Sequence, residues 1–211
     1  MDIMWVKTSR IIKWIFSGLV WEIPNPDNKI FLTFDDGPMP GITDFVLDEL
    51  KKNNIQATFF CIGKNVEAYP DLFLRILNEG HSVGNHTQNH LKGWDQSLEK
   101  YLENARECHD LLENLSCKKP KLFRPPYGKI KFSQIKALKK TGYKIIMWDV
   151  LSVDYNAKVS PEKCLDNVVK NTQKGSIIVF HDSLKAATNV KFALPKAIEI
   201  LKRKGFIFDK I

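Results

Sequence analysis

The chain has 211 residues, with 32 Lys plus Arg against 24 Asp plus Glu for a net charge of +8, and 44% of its residues are hydrophobic. With only 11 Gly and 10 Pro, this balance excludes a disordered, collagenous or low-complexity chain. The length suits one large domain that buries about 70% of its unfolded surface and needs no disulfide framework.

In chain order, the first feature is a short apolar stretch from Trp14 to Trp21, bounded by Lys13 and Glu22. It is too short to cross a bilayer, and no small-residue cleavage motif follows it. Ile11, Ile12, Ile15, Phe16 and Leu19 share one helical face, with Ser9 placed to cap and Gly18 to stop. Residues 1–28 are therefore expected to form a short helix and lead-in packed on a domain spanning 29–211. Lys7, Arg10 and Lys13 flank this helix, so a weak peripheral membrane contact is the alternative. With neither signal peptide nor transmembrane span visible, a cytoplasmic or membrane-peripheral location is expected, secretion being the other reading.

Strand-like and helix-like patterns then alternate. Strands are predicted at Lys29–Phe34, Ala57–Ile62, Val83–Asn85, Leu122–Phe123, Tyr143–Trp148, Ser176–Phe180 and Phe206–Phe208. Helices are predicted at Ile42–Asn53, Asp71–Asn78, Gln96–Leu115, Phe132–Thr141, Pro161–Asn171 and Ala193–Lys204. Such alternation predicts an α/β fold with a parallel sheet covered by helices. About seven βα units suggest a closed or nearly closed barrel, although spacing alone does not separate this from an open sheet. The four cysteines, Cys61, Cys108, Cys117 and Cys164, form no C-x-x-C pair and read as reduced thiols. The excess lysines fall on predicted helices and their ends, dispersed as solvated faces, with attraction to an anionic polymer as the second reading. No nucleic-acid recognition motif is present.

Residues capable of chemistry recur where predicted strands end. Asp35-Asp36 follow the first strand, His86 and His90 the third, and Arg124 the fourth; Asp154 comes shortly after Trp148, and His181-Asp182 follow Phe180. In a parallel βα architecture these carboxyl ends share one rim, where active sites form. His86 and His90, four apart, lie on one face of a helical turn and reach one cation, though surface histidines show the same spacing. Asp35-Asp36-Gly37-Pro38 supplies a third ligand and a free base if the carboxylates splay around the turn; a turn capped by its own carboxylates is the plainer reading. Arg124-Pro125-Pro126-Tyr127-Gly128 is either a structural proline turn or a rigid loop offering a guanidinium and the Tyr127 N–H. His181 is either a satisfied core histidine or, beside a metal, a general acid.

Five motifs together carry a family resemblance. They are Thr33-Phe34-Asp35-Asp36-Gly37-Pro38, His86-Thr87-x-x-His90, Arg124-Pro125-Pro126-Tyr127-Gly128, the Trp148 to Asp154-Tyr155 region, and Val179-Phe180-His181-Asp182. From Ile30 to Phe208 the chain resembles the polysaccharide deacetylases, the NodB-homology enzymes of carbohydrate esterase family 4. The resemblance implies a distorted (β/α) barrel of about seven parallel strands. It implies a metal site of Asp36, His86 and His90, most often filled by Zn2+ in this family, with Co2+ or Ni2+ as substitutes. It implies Asp35 as general base held by Arg124, the Tyr127 N–H as oxyanion donor, and His181 as general acid oriented by Asp154. Tyr155, Val179 and Pro126 are expected at the substrate pocket. Leu91, Tyr155 and Val179 depart from the usual Pro, Trp and Leu; the first is expected to cost little, and Tyr155 and Val179 bear on substrate preference rather than on the reaction.

The implied activity is removal of N-acetyl groups from a sugar, oligosaccharide or polysaccharide of chitooligosaccharide or peptidoglycan type. Alternatives are a carbohydrate acetyl ester of xylan type, a small amide, or a non-catalytic carbohydrate-binding relative. Intact Asp35 and His181 speak against the last, since binding alone needs neither base nor acid. Oligomeric state is not legible.

Overall fold

The structure is a computed structural model and describes residues 6–211. Among these residues eight strands form one sheet in which every ladder is parallel. They are β1 (Lys29–Asp35), β2 (Thr58–Cys61), β3 (Ser82–Asn85), β4 (Leu122–Phe123), β5 (Lys144–Ile145), β6 (Val150–Leu151), β7 (Ile177–His181) and β8 (Ile207–Asp209). Seven run in the order β5-β4-β3-β2-β1-β7-β6, and β8 pairs with β1 off that path. Among the described residues eight helices cover the sheet: α1 (Arg10–Ile15), α2 (Thr43–Lys52), α3 (Gly63–Ala68), α4 (Pro70–Asn78), α5 (Leu98–Ser116), α6 (Phe132–Lys140), α7 (Pro161–Asn171) and α8 (Ala187–Arg203). This is the expected distorted barrel.

Of the predicted strand Tyr143–Trp148 only Lys144–Ile145 forms a strand, β5, and the chain then crosses to the opposite edge of the sheet, where Val150–Leu151 forms β6. β5 pairs with β4, and β6, beginning only five residues after Ile145, pairs with β7. Five Cα steps span at most about 18 Å, so the sheet must curl until its edges approach. The N-terminal segment fills the seam. Val20 N–H donates to Ile145 O at 2.9 Å and Met147 N–H to Val20 O at 2.7 Å; Leu151 N–H donates to Val6 O at 2.8 Å and Thr8 N–H to Asp149 O at 2.9 Å. Beneath it the buried Asp149 carboxylate accepts from Lys7 and Lys13 Nζ, each at 2.5 Å, and from Ser176 Oγ at 2.5 Å. Sealing the backbone of both edges stops this seam from acting as an open edge.

α1 does not bury the single face expected of it. Ile12, Phe16 and Leu19 pack on Trp21, Leu138 and Met147, whereas Ile11 and Ile15 are exposed. Residues 1–5 of the expected lead-in lie outside the described residues. α8 starts six residues before the predicted Ala193 and carries Pro195 within it, because buried Asn189 and Val190 extend its inward face by another turn.

Strand parity places the site. In β1 the even positions Ile30, Leu32 and Phe34 pack outward on the helices, with Val46, Leu50 and Leu194. The odd positions point into the barrel, where Phe31 meets Phe60, Ile146 and Ile177. β7 lies in register beside it, pairing Phe31 with Ile177, Thr33 with Val179 and Asp35 with His181. The interior therefore changes up the barrel from an apolar layer through Thr33 and Val179 to a carboxylate and an imidazole at the rim.

Candidate active site

Asp35 and Asp36 separate as the sequence allows. Asp35 is the last residue of β1 and faces the barrel axis with Thr33. Asp36 follows with φ 81, a left-handed backbone that swings its side chain out of the strand alternation. Asn65 at the start of α3 holds this turn by donating to Asp36 O at 2.6 Å. Asp182 completes it by accepting from Gly37 N–H at 3.0 Å and from Thr43 Oγ1 at 2.6 Å. A Cβ at Gly37 would lie 1.9 Å from Asp182 Oδ2, so the glycine is required by the approach of the carboxylate. Burial, with Asp36 nearby, pushes the Asp182 carboxyl up to about 7.

Arg124 is wholly buried behind Asp35, over the Phe60 ring at 4.0 Å. Its Nη1 donates to Asp35 Oδ1 and Thr33 Oγ1, both at 2.7 Å, its Nη2 to Met147 O at 3.0 Å and its Nε to Ile146 O at 3.3 Å. With its donors distributed this way, the guanidinium fixes one oxygen of Asp35 and leaves the carboxylate edge at the cleft.

His86 and His90 do approach one another, with ring centroids 5.1 Å apart, but not on a helical turn. Thr87 and His90 have φ 64 and 54, and the loop is held by side chains in place of helical bonds. Thr87 N–H donates to Asn85 Oδ1 at 2.8 Å, Leu91 N–H to Thr87 Oγ1 at 3.1 Å, and Asn89 N–H to Asn104 Oδ1 at 3.0 Å. His86 Nδ1 donates to Arg124 O at 2.7 Å, which turns Nε2 toward Asp36 Oδ1 at 3.7 Å; His90 Nε2 lies 3.2 Å from the same oxygen. Among the described residues these three alone bring metal-ligating atoms within 4.8 Å of one another. Burial lowers His86 to about 4, so its imidazole is neutral, as a ligand must be. Burial acts to raise Asp36, but the hydrogen bond from His90 and the nearby histidines outweigh it and hold the carboxyl well below its usual range. Two imidazoles from the loop after β3 and one carboxylate from the turn after β1, open to the cleft, fit a divalent cation with a free coordination position.

His181 ends β7 opposite Asp35. The buried Asp154 carboxylate accepts from His181 N–H at 2.8 Å through one oxygen and from Nδ1 at 2.7 Å through the other. This fixes the ring and leaves Nε2 for the cleft. Burial pulls the imidazole down, yet the charge and hydrogen bond of Asp154, with Asp36 and Asp35, raise it to about 9. Asn189 in turn donates to Asp154 O at 2.9 Å.

A cleft of about 440 Å³ joins these groups, with Trp148, Leu151, Val179, Tyr127 and Tyr155 among its walls. Tyr127, at φ 58, lays its ring on His90 with centroids 4.6 Å apart, and Tyr155 stands edge-on to His181 at 4.9 Å. A Cβ at Gly128 would meet Trp148 Cη2 at 2.6 Å. Pro125, not Pro126, lines the cleft: Pro126 is buried as the first residue of the turn that follows. Sequence reading gave Thr33, Asn65 and Asp182 no role. Thr33 and Asp182 stand within the quoted motifs, but Asn65 carries no sequence signal.

Residues 22–146 match the polysaccharide deacetylase family model. A peptidoglycan-N-acetylglucosamine deacetylase of Bacillus cereus is 39% identical over 191 residues, 90% of this chain and 89% of that protein. The peptidoglycan-N-acetylmuramic acid deacetylase PdaC of Bacillus subtilis is 34% identical over 183 residues, 86% of this chain and 37% of that longer protein. The crystal structure of a peptidoglycan N-acetylglucosamine deacetylase bound to an N-oxidanyl-benzamide superposes with a TM-score of 0.89 at 35% identity, covering 95% of this chain and 94% of that one. The chain belongs to the polysaccharide deacetylase family and is a hydrolase acting on carbon–nitrogen bonds other than peptide bonds.

Proposed function

We propose that this chain is a metal-dependent N-deacetylase acting on an N-acetylated amino sugar within an oligo- or polysaccharide of peptidoglycan or chitooligosaccharide type. One observation carries this reading. Asp36 groups with His86 and His90, while Asp35, held by Arg124, is not one of that group and stands beside His181 on the neighbouring strand, both lining one cleft. The similar proteins named for peptidoglycan N-acetylglucosamine and N-acetylmuramic acid support the substrate class. Residues 29–211 form the deacetylase domain in this reading, with 1–28 as its lead-in.

Asp36, His86 and His90 would hold the cation, and their N,N,O donor set suits Zn2+. A cation there lowers the pKa of water and polarises the acetyl carbonyl. Asp35 takes the proton as water attacks, and Arg124 keeps its carboxylate in place. The Tyr127 N–H donates to the carbonyl oxygen as it gains charge. His181 Nε2–H then protonates the departing nitrogen, with Asp154 stabilising the imidazolium until transfer. Leu151 and Val179, apolar and at the foot of the cleft, take the acetyl methyl.

Acetate release from chitooligosaccharides, peptidoglycan fragments and acetylxylan tests the reading. Release from an amide substrate is expected; release from acetylxylan alone overturns it.

A further inference from the structure

Two neighbouring helices present a surface that deacetylation does not use. On α1, Ile11, Trp14 and Ile15 fall at i, i+3 and i+4 and are 70%, 77% and 55% exposed. On α6, Phe132 is 72% exposed. The helices are joined by Phe16 stacked on Phe132 at 5.6 Å and by Lys139 Nζ donating to Gly18 O at 2.7 Å. The exposed apolar side chains therefore gather on one side of the molecule. Soluble proteins rarely leave such a cluster uncovered without a partner.

The charge of this region is one-sided. Neither α1 nor α6 contains an acidic residue. Between Glu113 and Asp149 the chain has ten Lys or Arg and no Asp or Glu; of these Arg124 is buried against Asp35, and Lys118, Lys119, Lys121 and Lys144 line a separate groove beside Gly80 and His81. On α6, Lys136, Lys139 and Lys140 lie four, seven and eight residues after Phe132, on the same face. Arg10 opens α1.

We propose that this α1–α6 face docks the protein on an anionic lipid surface. Trp14 and Phe132 would sit at headgroup level, Ile11 and Ile15 in the acyl boundary, and Lys136, Lys140 and Arg10 against lipid phosphates. Three alternatives fit less well. A glycan would stack on the rings but gain nothing from two isoleucines. A second copy across a two-fold axis would set these lysines against themselves. The third, a span of the bilayer by this face, finds no helix among the described residues long and apolar enough to cross a membrane. Ile12, on the inner side of α1, lines the groove shared with Tyr127, Trp148 and Tyr155. Docking therefore brings the mouth of the active site close to the lipid surface, a consequence that rests on the proposed function.

The test is sedimentation of the full chain with vesicles of phosphatidylcholine, with and without phosphatidylglycerol. Binding is expected only when phosphatidylglycerol is present, weakening as salt rises. Ile11→Ser/Trp14→Ser and, separately, Lys136→Gln/Lys140→Gln should each lose about tenfold or more in vesicle affinity, with unchanged melting temperature and unchanged acetate release from a soluble substrate. Both pairs are exposed, so neither should prevent folding. Wild-type protein left in the supernatant, or both variants pelleting like wild type, overturns the proposal. So does a dimer that either variant dissolves, since the face then pairs two copies. Acetate release is read separately, so failure of the docking idea and failure of the deacetylase reading remain distinguishable.

Discussion

The two sides of the cleft are built on different plans. On one side, Asp36 and His90 sit on left-handed backbone, half-buried and open to the cleft, and His86 is pinned from behind by a main-chain carbonyl. On the other, His181 ends a regular strand and its buried partner Asp154 grips both ring and backbone. The first arrangement brings ligand atoms within 4.8 Å of one another, which suits a cation. The second leaves one N–H aimed into the cleft with its charge compensated, which suits a proton donor. Asp35 stands between them, tied to neither and held by Arg124.

This contrast predicts that the two sides fail differently. The largest effect is expected for Asp36→Ala: elemental analysis should find the bound divalent ion lost, and acetate release should fall to background. His181→Ala should keep the ion yet lose a factor of ~10²–10⁴ in kcat, the usual contribution of a general acid.

A pH profile sharpens the comparison. His181 must be protonated to act, so activity falls as pH rises through its pKa. Its folded value is raised to about 9, and a cation near Asp36 opposes that rise, so the alkaline limb should lie at or below about 9. Asp154→Asn removes the strongest raising partner and should move that limb to lower pH while leaving bound metal unchanged. A limb that stays put would remove His181 from the acid role.

The smallest effect is expected at Thr33. Its hydroxyl accepts from Arg124 and donates to Ile178 O at 2.8 Å. Thr33→Val keeps the shape but leaves a buried guanidinium hydrogen unpaired, at a cost of about 1–3 kcal/mol. Chemical denaturation should show that loss, while kcat changes by only a few fold because Asp35 keeps its own bond to Arg124.

Much of this architecture is legible in the sequence, for a physical reason. The buried strands β1, β2 and β7 are apolar runs of the right length, and the helices between them carry 3.6-residue periodicity. The chemistry at the rim is legible because parallel strands all deliver their carboxyl ends to one side. What escapes the sequence is geometry set by distant partners. Tyr143 to Trp148 reads as one strand, yet only Lys144–Ile145 pairs on that edge, and the next pairing, at Val150–Leu151, is on the opposite edge of the sheet. α3 offers little periodicity, with Val66 alone fully buried among its larger side chains. The His86–His90 loop has helical spacing but takes its bonds from Asn85 and Asn104. Asp149 looks like any loop acid until the N-terminal segment brings Lys7 and Lys13 to it.

The central claim is the division of labour between the adjacent carboxylates, and Asp35→Asn measures it most directly. The variant should be purified beside wild type, its metal content determined by elemental analysis and its acetate release followed on N-acetylglucosamine oligomers. The account predicts about one ion per chain in both proteins, a count that follows from a single ligand cluster, with turnover lost only in the variant. Loss of the ion from Asp35→Asn, or turnover that survives it, would contradict the assignment of Asp36 to the metal and Asp35 to the proton.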